Sequence, residues 1–268
     1  VAERLRDDVG ELLRQTATDV VLPLFRRLDD ADIFEKAPGD LVTVADRRAE
    51  ERISEALRKL LPGSVVVGEE AVAENPDLLR HLGGGGAVWL VDPVDGTGNF
   101  AAGRAPFALM VALLTDGVLT GAWVLDPIAG VLADARLNAG TRLDGQPVRA
   151  VDAAVTSGRM RGTAMTRSLP PAVRTRVEAG GERLGELLSG QHCAGREYLD
   201  LLTGDHRFVL FWRTLPWDHA PGVLLVREAG GVARHLDGAE YHPADDRPGL
   251  LVAADAATWS TARAALLA

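Results

Sequence analysis

From residue 1 to about 25 the apolar residues Leu5, Val9, Leu12, Leu13, Val20, Leu24 and Phe25 recur every three to four positions with charges between them. That spacing predicts an amphipathic helix. A charged stretch with Lys36, Pro38 and Gly39 reads as a loop, and a second helical pattern covers about 44–61 before Pro62-Gly63 ends it. The period then changes. Apolar runs at 65–67, closed by Gly68, and 88–91, closed by Pro93, read as buried strands ending in acidic residues. Between 107 and about 148, apolar stretches alternate with turn residues at Asp116-Gly117, Asp126-Pro127, Asn138-Ala139-Gly140 and Asp144-Gly145, which predicts an antiparallel meander. Beyond it the pattern predicts helices at about 171–188, 195–202, 218–229 and from 256, with strands at 208–212, near 232 and at 250–254. Helices and strands alternating on this scale imply stacked α/β layers. The one natural seam lies near 144–152, dividing an N-terminal α+β half (1–146) from a C-terminal α/β half (147–268).

Composition narrows the partners. The 268 residues are 47% apolar and 25% charged, enough for a sizeable core. Twenty-nine basic against thirty-eight acidic residues give a net charge of -9, which opposes binding to nucleic acid or to an anionic membrane. A single cysteine, Cys193, excludes an internal disulfide and a cysteine-based zinc or iron–sulfur site. The longest apolar run, Phe107 to Leu114, is far short of the roughly 20 residues of a spanning helix. These features lead us to expect a cytoplasmic protein.

Acidic residues cluster where chain direction changes: Gly68-Glu69-Glu70, Asp92-Pro93-Val94-Asp95-Gly96-Thr97 and Trp217-Asp218. Strand ends in α/β sheets converge on a crevice, so these turns are expected to share one. Carboxylates crowded into a partly dry crevice must take up protons or bind a cation, and an all-oxygen donor set points to Mg²⁺, with Mn²⁺ as a substitute. Gly96, Thr97 and Gly98 enter a short helix whose free N–H groups suit an anion, so the residues read as a metal-assisted phosphomonoesterase. Taken singly, each has a plainer reading: Asp92 and Asp95 as turn residues, Asp218 as a helix cap, Glu69 as a solvated acid. The chain carries no Gly-x-Ser-x-Gly elbow, no His-Glu-x-x-His motif and no phosphate-binding loop.

These motifs resemble those of the inositol monophosphatases, within the lithium-sensitive, Mg²⁺-dependent sugar and nucleotide phosphatases. Residues 89–100 are similar to the family's Asp-Pro-(Ile/Leu/Val)-Asp-Gly-Thr-x-Asn-Phe signature, 217–222 to its Trp-Asp-x-Ala-x-Gly signature, 67–70 to its Gly-Glu-Glu block, and 40–46 to the segment before its second helix. The resemblance implies a layered α-β-α-β-α sandwich of the inositol monophosphatase and fructose-1,6-bisphosphatase type. It further implies that Glu69, Asp92 and the Val94 carbonyl hold one Mg²⁺, and that Asp92, Asp95 and Asp218 hold a second. Thr97, near Asp46 and with Glu69 opposite, would orient and deprotonate the attacking water. Gly96 and Thr97 would contact phosphate, and the loop around Lys36 to Asp40 would close over the site and help retain a third metal. Relatives of this kind commonly form homodimers, which the sequence neither supports nor opposes.

The resemblance weakens at the substrate. His192-Cys193-Ala194 stands where the family's inositol-contacting Gly-Ser/Thr-Ala would align, and Phe211 where a ring-contacting glutamate would. A phenyl ring accepts no hydrogen bond from a polyol. Cys193, Ala194, Phe211, Lys36 and Arg196 are candidate substrate contacts, with Tyr198 and Arg213 nearby. The expected substrate is a small phosphate monoester, whether inositol-phosphate-like, a sugar or polyol phosphate, histidinol phosphate or a 3′-phosphorylated nucleotide. A binding or regulatory module on the same fold is the rival from another class. Cys193 is expected to pack as a small apolar group, and His219 on a helix surface.

Overall fold

The computed structural model describes residues 3–150, 160–166 and 169–267. The N-terminal amphipathic pattern becomes α1 (Glu3–Thr16), which continues through a π turn (Ala17–Val21) into the short α2 (Leu22–Leu24). The wide turn precedes Pro23, which has no N–H to donate to the Asp19 carbonyl. The charged stretch expected to be a loop is instead a hairpin of β1 (Ile33–Ala37) and β2 (Asp40–Thr43), with Gly39 at φ +78° in its turn. Ile33-Phe34 followed by Glu35-Lys36 lacks the alternation that marks a half-buried strand, so the pattern concealed it.

Helix α3 (Val44–Leu60) starts at Thr43 in a capping box with Asp46, and its apolar face packs against α1. Then come β3 (Val65–Gly68), α4 (Glu69–Glu74), β4 (Ala87–Asp95), the single turn α5 (Thr97–Ala101), β5 (Ala108–Thr115), β6 (Val118–Asp126), β7 (Val131–Arg136), β8 (Thr141–Leu143) and β9 (Gln146–Val148). Strands β3 to β9 form one sheet in chain order, antiparallel throughout except for the parallel β3–β4 pair, as the meander predicts. Pro93 does not end its strand, contrary to expectation. The β4–β5 register shifts between Asp92 and Asp95, and this bulge carries the proline and re-aims the following side chains.

The remaining elements are β10 (Met160–Ala164), α6 (Pro171–Leu184), β11 (Gly185–Ser189), α7 (Ala194–Thr203), β12 (Phe208–Phe211), α8 (Pro216–Glu228), β13 (Val232–His235), β14 (Leu250–Ala253) and α9 (Ala256–Leu267). A second sheet runs in the order β11-β10-β12-β14-β13. Two expectations are corrected here. The helix expected to reach residue 188 stops at Leu184, and 185–189 forms β11, which pairs in parallel with β10; its Leu187-Leu188 continued the preceding helical spacing and concealed the strand. The 146/147 boundary falls within β9, and most of the expected seam beyond it, 151–159, lies outside the described residues.

The layers follow α-β-α-β-α. Helices α1 and α3 cover one face of the first sheet, α7 and α8 fill the space between sheets, and α6 and α9 cover the outer face of the second. Three apolar clusters match the three helical layers. In the first, Trp89 and Trp123 are fully buried, and their indole N–H groups are satisfied by Ser64 Oγ (3.1 Å) and the Arg6 carbonyl (2.8 Å). Burying each such side chain contributes roughly 3 kcal/mol. No helix among the described residues is long and apolar enough to cross a membrane.

Candidate active site

The site forms where β3 and β4 end and α8 begins. Glu69 opens α4 directly after β3, Asp92 and Asp95 flank the β4 bulge, and Asp218 lies in the first turn of α8. Carboxylate oxygens of Glu69, Asp92 and Asp218 all lie within 4.8 Å of one another. Residues 149 positions apart in the chain thus meet in a volume that a hydrated ion would fill.

Neighbouring groups fix several of these acids. The Glu50 carboxylate of α3 accepts the N–H groups of Glu70 and Ala71 (2.8 Å each) and so anchors the start of α4. Gly68 makes this approach possible, because a Cβ there would stand 2.3 Å from the Glu50 carboxyl carbon. Asp95 Oδ2 accepts from the Gly195 N–H (2.6 Å) and the Cys193 thiol (3.1 Å), at the start of α7. Gly96 turns the chain at φ +87°, packed against Cys193, and places Thr97 between two acceptors: Asp46 Oδ1 (3.1 Å) and the Val94 carbonyl (3.0 Å). The other Asp46 oxygen is held by the Thr43 N–H (2.8 Å) and hydroxyl (2.6 Å). Lys36, on β1, donates to Glu69 (2.8 Å) and Glu70 (2.9 Å), so the hairpin is tied to the acidic floor.

Crowding and burial raise the proton affinity of this floor. Asp92 is pushed well above the usual carboxylate range by burial, then by the charges of Glu69, Asp95 and Asp218. Burial also raises Asp218, helped by Asp95 and Glu69 and opposed by Arg213. Asp95 rises to about 6 through burial, despite the pull of the Gly195 N–H and Cys193, and Asp46 rises to about 6 for the same main reason. Glu70 is lifted to about 7 by burial against the pull of Lys36. Burial works against the charge on Lys36, but Glu69 and Glu70 outweigh it and its pKa moves up. An all-oxygen cluster with this excess of negative charge fits a hard divalent cation such as Mg²⁺.

A stability signature follows. Asp46 and Asp95 have folded-state pKa values near 6 against 3.8 for the free side chain, so their contribution is complete below about pH 4 and is lost as pH rises through 6. We expect the melting temperature of the metal-free protein in EDTA to fall across that window, Asp95→Asn to flatten part of the fall, and Mg²⁺ to restore more at pH 7 than at pH 4. A variant profile that parallels wild type would contradict this origin.

Asp95 and Asp218 line a cleft of about 540 Å³, bounded by the hairpin tip at Pro38 to Leu41, by Gly96 to Asn99, and by Cys193 and Phe211. A sequence model of the inositol monophosphatase family matches residues 4–267. The chain belongs to the inositol monophosphatase family. It is accordingly a phosphoric monoester hydrolase in class. The Nus factor SuhB of Pseudomonas aeruginosa is 32% identical over 234 residues, 84% of this chain and 83% of the relative. The inositol-1-monophosphatase of Rhizobium meliloti is 33% identical over 223 residues, 80% and 79% of the two chains. In fold, the Thermotoga maritima IMPase superposes with a TM-score of 0.79 at 22% identity, covering 99% of both chains. SaIMPase-II with inositol monophosphate bound does so at 0.74 and 20%, covering 98% of this chain and 94% of that one.

Within this family member several substrate candidates are placed differently from expectation. Arg196 does not line the cleft: its guanidinium pairs with Asp126 (3.2 Å) and Asp200, and that corrects its assignment as a substrate contact. Asp200 belongs with Glu197 and His206 to a second buried acid–histidine group, which Gln191 and Arg196 hold from either side. Tyr198 is fully buried, stacks on Phe211 at 5.3 Å and bonds His219. Cys193 and Ala194 line the cleft, but the Cys193 thiol is spent on Asp95. His219 is buried rather than on a helix surface. Its Nε2–H donates to the Arg213 carbonyl (2.8 Å), so Nδ1 accepts from the Tyr198 hydroxyl (3.0 Å), and burial lowers its pKa to about 4. It stays neutral and is already fully bonded. Sequence reasoning missed Glu50, Thr43 and Gly195, the groups that hold the acids. Only the capping pattern Thr43-x-x-Asp46 left a readable signal.

Proposed function

We propose that this chain is a Mg²⁺-dependent phosphatase that hydrolyses a small phosphate monoester by direct attack of water, without a covalent phospho-enzyme. The convergence of Glu69, Asp92 and Asp218 within 4.8 Å carries this reading. Glu69, Asp92 and the Val94 carbonyl hold one cation, and Asp92, Asp95 through its remaining oxygen, and Asp218 hold a second. Lys36 and the hairpin modulate a third, weaker position, and Mn²⁺ substitutes for Mg²⁺. Bound metal supplies Lewis acidity, neutralising phosphate charge and acidifying the attacking water.

The protein groups do the rest. Thr97 Oγ1 has one proton and two acceptors, Asp46 and the Val94 carbonyl, so its lone pairs remain free to receive the proton of an incoming water. Asp46, with a pKa of about 6, takes charge of the proton that Thr97 relays, while Glu69 fixes the water from the other side. Gly96 and Thr97 contact the phosphate, and Ala194 and Phe211 border the alcohol. Acids come from one half of the chain (1–146) and Asp218 from the other (147–268), so neither half is active alone.

Thr97→Ala is expected to lower kcat about 100-fold with little change in KM, read from steady-state phosphate release. A change confined to KM would remove Thr97 from proton handling. The overall reading is tested by phosphate release from a monoester panel with and without Mg²⁺. Absence of metal-dependent turnover on every ester would favour the second reading, a regulatory module, toward which the relative named as a Nus factor points. Lithium inhibition, a homodimer and a cytoplasmic location extend the family reading, and a lithium titration and a sedimentation measurement check the first two.

A further inference from the structure

Helix α7 begins beside the acidic floor, and its first turn is held from two sides. Its N-cap residue, Cys193, accepts no backbone N–H through its side chain. The acceptor there is Asp95, whose Oδ2 takes the Gly195 N–H and the Cys193 thiol. Behind the turn, Glu197 reaches back along the chain, and its Oε1 accepts the Gln191 N–H (2.7 Å). The Gln191 side chain donates to Asp200 Oδ2 (2.7 Å), and its carbonyl accepts from the Asn99 amide of α5 (2.9 Å). Residues 191–193 thus bridge Asp95 and Asn99 on one side to Glu197 and Asp200 on the other.

This bridge is strained. His192 sits at φ +59°, in the left-handed region that residues with a Cβ seldom adopt, and its carbonyl packs on Gly96, where a Cβ would stand 3.2 Å away. Such a conformation persists only where its surroundings over-determine it. Here they are a buried charge network. Glu197 is fully buried and turns its second oxygen towards His206 Nδ1 (3.2 Å), which precedes β12 and lies 3.0 Å from Thr163 of β10. Asp200 pairs with Arg196, which also pairs with Asp126 (3.2 Å) at the end of β6. Both sheets are therefore tied to the turn that holds Asp95. Buried ion pairs contribute little net stability, because lost hydration offsets their attraction, and their best-attested use is to fix register.

We propose that Glu197 is a positioning residue for the cation site of Asp95. By holding the Gln191 N–H it sets the 191–193 turn, and through Cys193 and Gly195 that turn fixes which way the remaining Asp95 oxygen faces. Glu197 itself touches neither cation nor substrate. This deepens the phosphatase reading above and rests on it.

Mn²⁺ binding, read from the EPR signal of the free ion, tests this without turnover, and Asp95→Asn identifies the part of the titration that depends on Asp95. Glu197→Ala is expected to raise the Mn²⁺ concentration that loads this site about tenfold, the scale of one buried hydrogen bond lost. The Mg²⁺ concentration for half-maximal phosphate release rises by the same factor. Glu197→Gln keeps an oxygen for the Gln191 N–H and stays within about twofold of wild type on both readouts. Gln191 is half-buried, so Gln191→Ala is gentler on folding; it cuts the tie to Asp200 and shifts both readouts about threefold. Arg6→Ala, which removes a buried ion pair outside the site, lowers stability and leaves both unchanged, so a shift cannot come from lost stability alone. An unchanged Mn²⁺ titration in Glu197→Ala, or in Gln191→Ala should the first variant not fold, overturns the inference. So does a loss in Glu197→Gln as large as that in Glu197→Ala, since Glu197 would then act through its charge or as a ligand. Wild type that binds Mn²⁺ yet releases phosphate from no ester overturns the phosphatase reading, while the Mn²⁺ titrations still decide the role of Glu197. Wild type that binds no Mn²⁺ overturns both.

Discussion

Asp92→Asn is expected to lower Mg²⁺-dependent kcat/KM by about three orders of magnitude while making the metal-free protein more resistant to heat. The first effect follows from losing the carboxylate shared by both proposed cation positions. Lewis-acid stabilisation is worth several kcal/mol, and each 1.36 kcal/mol is tenfold in rate. The second follows from removing an ionisable group that burial, and then the charges of Glu69, Asp95 and Asp218, push well above the usual carboxylate range. Asparagine keeps the shape, and its Oδ1 can still accept from the Val94 N–H, a 3.1 Å contact in wild type. Two measurements decide the matter together: phosphate release against Mg²⁺ concentration, and thermal melts in EDTA and in Mg²⁺. Turnover within tenfold of wild type would remove Asp92 from the metal site. A lower melting temperature in EDTA would show that the acids are not in conflict without metal.

Arg6→Ala is expected to destabilise the fold by about 3 kcal/mol, with activity per folded molecule unchanged. Arg6, on α1, points its guanidinium into β7, where it pairs with the Asp134 carboxylate and bonds the Asp134 carbonyl (3.0 Å). Both side chains are 4% exposed, so removing one partner leaves a charge with little access to water. Arg142, 3.0 Å from the same Asp134 oxygen, softens the loss and keeps it at the low end of the range for broken buried pairs. Urea denaturation measures the change. Replacing both partners, as Arg6→Met with Asp134→Leu, is expected to recover most of it, because well-packed apolar groups need no compensation for lost hydration. A cost below about 1 kcal/mol for the single variant would mean that water reaches Asp134 after all.

The sequence by itself determined the helices α1, α3, α7, α8 and α9 and most of α6, the strands β3, β12, β13 and β14 and the first part of β4, the meander β5 to β9, and the acids Glu69, Asp92, Asp95 and Asp218 as candidates, because periodicity and turn residues are local properties of the chain. Asp46 was marked only by the resemblance of residues 40–46 to the family segment before the second helix, and the structure adds its capping box with Thr43. Tertiary structure alone decided the rest. The hairpin that carries Lys36, the strand β10, and the continuation of β4 through Pro93 exist because a partner strand supplies hydrogen bonds that no local pattern announces. Whether an arginine faces a ligand or an internal acid was equally out of reach. Arg196 and Arg213 read alike along the chain, yet packing of α7 turns one onto Asp126 and Asp200 while the end of β12 leaves the other at the cleft rim. Side-chain charge is written residue by residue, but what neutralises it is settled only when distant segments are brought within a few ångströms.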